Sequence, residues 1–224
     1  MMAAMELTLA ESVLLLALDD AKGSIGFTQV DPCLAGALLV DLGRLGALRH
    51  EGTELHPVHE VEITHPVLTR AHTAISASSK PRSAKAWVGR LPSDLKPISG
   101  AVASHLVEHG ILTEQRSKVL GLFPSTRFPQ SDPEPERALR SRLRDVLLGL
   151  RAPQEYDALL LGLLDPLGFM EQLVDRSQRR DARQRAKQIA DTGITGNAVS
   201  DTMREIHAAA MIAAVVPAVI GAGS

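Results

Sequence analysis

The sequence is poor in the groups from which many sites are built. A single cysteine, Cys33, in 224 residues excludes an internal disulfide and a Cys-based zinc site within the chain, and it points to a reducing compartment. Cys33 itself reads as a small buried hydrophobe. Aromatic residues make up 3% of the chain, with one Trp, one Tyr and four Phe, which leaves little for stacking on bases. Neither sign of charge dominates: 24 basic residues face 26 acidic ones for a net charge of −2. A chain of that balance is not built to wrap nucleic acid, and any anion-binding surface must be local. There is no G-x-S-x-G, no P-loop and no G-x-G-x-x-G, so nucleophilic hydrolase, NTPase and dinucleotide chemistry have no motif behind them. The apolar segment "LTLAESVLLLALDD" has no basic run before it and ends in two acids, unlike a signal peptide. The C-terminal "AAAMIAAVVPAVIGAG" contains Pro217 and falls short of the roughly 20 residues that span a bilayer. The expectation is a cytoplasmic protein without a transmembrane anchor.

What the chain does have is leucine and alanine. With 45% hydrophobic residues and few aromatics, its core suits helices. Thr8 followed by Glu11 is a capping box, opening a helix to about Asp19 that is apolar on nearly every side and belongs in the middle of a bundle. "DPCLAGALLVDLGRLGAL", with Asp31 as N-cap and Pro32 in the first turn, is a second central helix. "LRHEGTELHPV" and "EVEIT" read as a small hairpin or short strands, and "HPVLTRAHTAISAS" returns to helical spacing. "SASSKPRSAK" is an exposed connection ahead of Trp87. A helix is expected from Leu95 to His109, ended by Gly110. "KVLGLF" and "TRF" around Pro124 and Ser125 form a hairpin, and Asp132 caps the long helix that follows. Further helices start at Gln154, near Phe169 and near Asn197. The fold class is mainly α: one helical domain over residues 1–224, with residues 1–6 expected to be disordered, a central apolar bundle ringed by amphipathic helices, and one or two short β-hairpins.

Three constellations could carry function. "SHLVEHGIL" contains His105, Glu108 and His109 in the H-x-x-E-H spacing of a zinc peptidase helix. At 100° per residue the two histidines share a stripe of about 140° with Ile98, Ala101, Val102 and Leu106, which makes them partly buried core histidines first. A zinc hydrolase also needs a third ligand, for which no spacing nominates a residue. The remaining histidines, His50, His56, His59, His65 and His72, lie in hairpin and loop-like sequence and are expected to be exposed. In "DRSQRRDARQRAK", Arg176, Arg179, Arg180, Arg183 and Lys187 fall within about 100° on one helix face, opposite Ala182, Arg185, Ala186 and Ile189. That basic stripe is either a solvated face or a surface for anionic headgroups. In "GLFPSTRF", Leu122, Phe123, Arg127 and Phe128 put two of the four phenylalanines on a projecting hairpin, which suits packing on the body, membrane contact or oligomer contact.

Read in order, "LTLAESVLLLALDDAKGSIGF", "CLAGALLVDLGRLGAL" and "HLVEHGILTEQRSKVLGLFPSTRFPQSDP" with the long helix after it resemble the Golgi phosphoprotein family of phosphatidylinositol 4-phosphate effectors, in the style of a bacterial member. The likeness runs from about Leu7 to Lys187 and more loosely beyond. It implies a helical bundle, a hairpin used in self-association, phosphoinositide binding and no catalytic activity, cofactor or metal. The family's lipid pocket transfers incompletely. Its tryptophan corresponds to Gly26, Phe27 or Thr28, one arginine to Ala35, and a pair of arginines to Lys96 and Ser99, so only Lys96 keeps a charge. Phe27 could serve at the rim. Relatives carry asparagine and lysine where His105 and His109 stand, which turns "SHLVEHGIL" into a family marker rather than a zinc motif.

These readings converge on a non-enzymatic, peripheral membrane-associating protein. It would bind anionic lipid through Lys96 and the stripe from Arg176 to Lys187, aided by the hairpin. The alternative is a protein-interaction adaptor or homo-oligomer that has lost lipid binding, with an unspecified protein partner; neither involves nucleic acid.

Overall fold

Thr8 starts the first helix by reciprocal capping: its hydroxyl accepts from the Glu11 amide at 3.1 Å, and the Glu11 carboxylate accepts from the Thr8 amide at 2.9 Å. In the computed structural model, which describes residues 6–19, 23–25, 30–119, 123–195 and 204–209, this helix is α1, Leu9–Ala17. Every one of its residues is buried, including Glu11 and Ser12. A helix apolar on all sides has no solvent face to offer, so others surround it. Its main neighbour is α2, Val30–Arg44, which begins one residue before Asp31, so Asp31 lies in the first turn rather than at the cap.

Asp41 of α2 closes the junction between the two. Its Oδ1 and Oδ2 accept the Leu9 and Ala10 amides of α1 at 3.0 Å each. These are donors that the first turn of a helix leaves unsatisfied. Ser12 on the same helix meets the Tyr156 hydroxyl at 2.6 Å, and burial pushes that phenol up to about 12.

The chain then makes the expected hairpin, β1 Leu48–Glu51 with β2 Glu54–Pro57, in antiparallel register Leu48 to Pro57. "EVEIT" forms no strand: its alternation finds no pairing partner among the described residues. Helices α3, Pro66–Ser76, and α4, Ala84–Asp94, follow on either side of the "SSKPRS" connection, which is exposed at Ser79, Lys80 and Pro81 and half-buried at Ser78, Arg82 and Ser83. Trp87 is 1% exposed on α4, which packs on α2, with the Arg82 guanidinium 5.9 Å from its ring. Helix α5 is Ile98–Glu108, shorter than the expected Leu95–His109 helix. Pro97 stands at its N-cap; a proline disfavours helical backbone in the residue before it, which ends α4 and separates it from α5. Gly110, at φ +71°, closes α5 as expected.

Strands β3, Gln115–Val119, and β4, Phe123–Arg127, form the second hairpin. Its base is pinned to the loop after α1: the Phe128 amide donates to the Gly23 carbonyl at 2.8 Å, and a Cβ at Gly23, whose φ is +59°, would collide with the backbone of Phe128 and Pro129. Helix α6, Glu134–Leu147, has its first-turn Glu134 amide bound by Asp132 at 2.9 Å. Then come α7, Glu155–Leu164, α8, Met170–Leu173, and α9, Arg179–Thr195. Residues 204–209 are helical, and the buried His207 donates to the Leu159 carbonyl at 3.3 Å. Gly162 of α7 leaves room for that imidazole, since a Cβ there would strike it. The architecture is mainly α with two small hairpins, and the buried apolar side chains form a shared core. The expectations for residues 1–5 and for the rest of the last helix lie outside the described residues.

Two outcomes follow from these contacts. Burial pushes the Asp41 carboxyl up to about 7 against the pull of the two amides, so between about pH 4 and 7 the folded chain holds a proton that the unfolded chain has lost. The contribution of Asp41 to stability therefore falls as pH rises through that window and levels off above it. Urea unfolding across pH should show this slope in the wild type and lose it in Asp41→Asn. Separately, Gly23→Ala should cost about 2 kcal/mol or more, because it combines a left-handed backbone with a backbone clash; thermal denaturation measures this directly.

Candidate functional site

Of the five positions expected to hold a headgroup, two stand together at the start of α5. Lys96 is exposed in the turn before the helix and Ser99 is half-buried in its first turn. Ala35 does not join them: it is 0% exposed in the middle of α2, where the helix is enclosed by α1, α4 and α5. Its assignment to a lipid pocket is thereby corrected, because a side chain sealed on all sides cannot touch a headgroup. Phe27 and Thr28 lie outside the described residues.

The stripe expected on one helix divides by position and by partner. Arg176 belongs to a short 3-10 turn, Arg176–Gln178, that precedes α9; the others are on α9 proper. Ala182, Ala186, Ile189 and Ala190 are buried against α7 and the neighbouring α6 and α8, while Arg185 turns back to give its Nε–H to the Val146 carbonyl at 2.8 Å. The cations face the other way. Glu171 of α8 takes two of them, Arg179 at 3.5 Å and Arg183 in closer contact. Arg176, Arg180 and Lys187 are exposed and have no ion pair among the described residues. Helix α9 makes none of its extensive packing contacts with α4 or α5, so Lys96 and the stripe belong to different groups of helices.

The β3–β4 hairpin presents Gln115, Arg116, Ser117, Thr126 and Arg127 to solvent. Of the alternatives left open for the hairpin residues, Phe128 takes packing on the body. It is 8% exposed at the foot of the hairpin, held by the Gly23 contact, and acts as an anchor. Leu122 lies outside the described residues; Phe123 opens β4, opposite Val119.

A fourth arrangement, which sequence reasoning missed, lies at the Glu11 end of α1. Glu11 is buried, with one carboxylate oxygen, Oε2, accepting the Thr8 amide and hydroxyl at 2.9 and 3.0 Å. The other, Oε1, accepts from two imidazoles: His105 Nδ1 at 2.7 Å and His65 Nε2 at 3.2 Å. Burial pushes the Glu11 carboxyl up, but hydrogen bonds from His65, the Thr8 amide and His105 outweigh it and hold it below its ordinary value. His65 is the N-cap residue of α3 and His105 lies on α5, so three elements meet on one oxygen. The rings of His65 and His105 are 4.2 Å apart between centroids, and His109 adds a third ring 4.1 Å from His105.

The H-x-x-E-H helix accordingly does not assemble as a metal helix. His105 is half-buried as expected, but His109 is exposed at the helix end, where its Nδ1–H donates to the His105 carbonyl at 2.8 Å, and Glu108 is exposed. The expectation that His65 is simply exposed is corrected, since its side chain is 14% exposed against Glu11. Its only signal in the sequence was a histidine before a helix-starting proline. Among the described residues, Glu11, His65 and His105 form the one group that could hold a metal ion, with donor atoms all within 4.8 Å of one another.

Set beside known protein families, the chain matches the family model described as Golgi phosphoprotein 3 (GPP34) over residues 9–208. That span contains α1 through α9 and begins one residue after Thr8.

Proposed function

Since the chain belongs to the Golgi phosphoprotein 3 family, we propose that it is a non-enzymatic protein that associates peripherally with membranes by binding anionic lipid headgroups. No helix among the described residues is long and apolar enough to cross a membrane, so the association would be made at a surface. The observation that carries this reading is the set of Arg180 and Lys187 on α9 and Arg176 in the turn just before it, exposed and without ion pairs among the described residues, where the opposite face of α9 is locked into the core. Cations near an anionic bilayer contribute about 1 kcal/mol each. Three of them give about 3 kcal/mol, or roughly a hundredfold in partitioning. Arg179 and Arg183 contribute less because Glu171 already neutralises part of their charge. Lys96 is a separate cation at the start of α5; the family likeness connects it with phosphoinositide recognition.

Vesicle flotation tests the reading. The wild type should bind vesicles containing phosphatidylserine, fail to bind phosphatidylcholine alone, and lose binding as salt rises. Replacing Arg176, Arg180 and Lys187 by Gln should lower partitioning roughly a hundredfold, and Lys96→Ala should act selectively on vesicles that contain phosphatidylinositol 4-phosphate. Equal binding to neutral and anionic vesicles would sink the proposal.

A second reading, self-association through the β3–β4 hairpin, is favoured by the hairpin's own geometry. It is a two-stranded sheet with no third strand paired to it among the described residues, which leaves strand edges able to pair with another chain. Joining Ser117 to Ser125 through a two-residue turn would remove the projection while keeping the register and the Phe128 anchor. If the hairpin mediates assembly, the molar mass from light scattering should fall to that of one chain; an unchanged mass at every concentration rules this role out.

A further inference from the structure

We propose that Glu11, His65 and His105 form a binding site for a divalent transition-metal ion of the zinc type, with Glu11 Oε1, His65 Nε2 and His105 Nδ1 as the protein ligands. The inference is independent of lipid binding. It rests on three donor atoms from α1, the start of α3 and α5 that lie within 4.8 Å of one another.

Two imidazoles and one carboxylate are a donor set for zinc and its neighbours rather than for magnesium or calcium, which prefer oxygen throughout. Ligands about 2.0–2.1 Å from a tetrahedral ion stand about 3.3 Å apart. The His65–Glu11 separation of 3.2 Å already matches that edge, while the 2.7 Å His105–Glu11 edge needs to open by about half an ångström. Imidazole ligates a metal as the neutral ring, so the N–H protons now shared with Oε1 would pass to the opposite ring nitrogens, Nε2 of His105 and Nδ1 of His65, as the ion takes their place. Thr8 supplies the outer shell: its amide and hydroxyl hold Oε2 and so aim Oε1 at the imidazoles. The side chains of His65 and His105 are 14% and 18% exposed while Glu11 is 0% exposed, so the ion would enter, and keep an open coordination position, on the imidazole side. Binding at His65 Nε2 would move that ring's proton to Nδ1, which is buried without a hydrogen bond among the described residues, making His65 the weaker of the two nitrogen ligands.

Full-length protein stripped with chelator and titrated with Zn²⁺ by calorimetry should bind one ion per chain, and Co²⁺ should give the intense visible absorption of a low-coordinate complex. His105→Ala should lower affinity by at least about a hundredfold, His65→Ala by somewhat less, and Thr8→Ala by about tenfold. Glu108→Gln and His109→Ala should leave it unchanged. Circular dichroism and melting without metal check that each variant is folded, with the Gln variants of His65 and His105 replacing any Ala variant that is not. The proposal is overturned if the wild type binds no stoichiometric ion, if the His65 and His105 variants bind like the wild type, or if His109→Ala abolishes binding that His65→Ala retains.

Discussion

The N-terminal end of α1 is the point on which the rest of the molecule depends. A helix buried on all sides still begins with amide donors that no helical carbonyl can satisfy, and here they begin inside the protein. Asp41 takes two of them and Thr8 another. This places two carboxylates, Asp41 and Glu11, close to one buried helix start, which the helix dipole favours and burial opposes. Glu11 gains the hydrogen bonds that keep it ionised by drawing in His65 and His105. The same polar contacts that satisfy α1 therefore set where α2, α3 and α5 stand around it.

The proposed binding surfaces, by contrast, are spread over the outside of this bundle. The cations of α9 depend on the core only because Ala182, Ala186 and Ile189 hold that helix in one orientation, so charge can be altered there at little cost to stability. The foot of the β3–β4 hairpin meets the loop after α1 where Gly23 touches Phe128. The histidine cluster is different in kind: it lies between elements, and a ligand bound there would act on the packing of three of them at once.

Local order proved legible and long-range convergence did not. The Thr8–Glu11 cap is a three-residue spacing, and the outward face of α9 follows from 100° per residue; both are written within one turn or one helix. The break at Pro97 was equally visible, since proline restricts the residue before it, yet the expected helix was started ahead of it, at Leu95. Ala35 shows two signals in conflict. Family likeness placed it in a lipid pocket, while the almost wholly apolar character of α2 already implied enclosure, and enclosure is what the structure has. Nothing local could pair Glu171 with Arg179 and Arg183, or bring His65 to a carboxylate 54 residues away. Such contacts are decided by how helices pack, and a chain read one element at a time does not contain that information.

The scarcity of aromatic residues has a practical side at Trp87. As the single tryptophan, sealed at the contact between α4 and α2, it makes intrinsic fluorescence a one-site readout of the bundle interior. Emission from that indole should be silent to lipid headgroups gathering on α9 or to strands pairing at the hairpin edge. A spectral change during either event would mean that the surface and the α2–α4 contact move as one body.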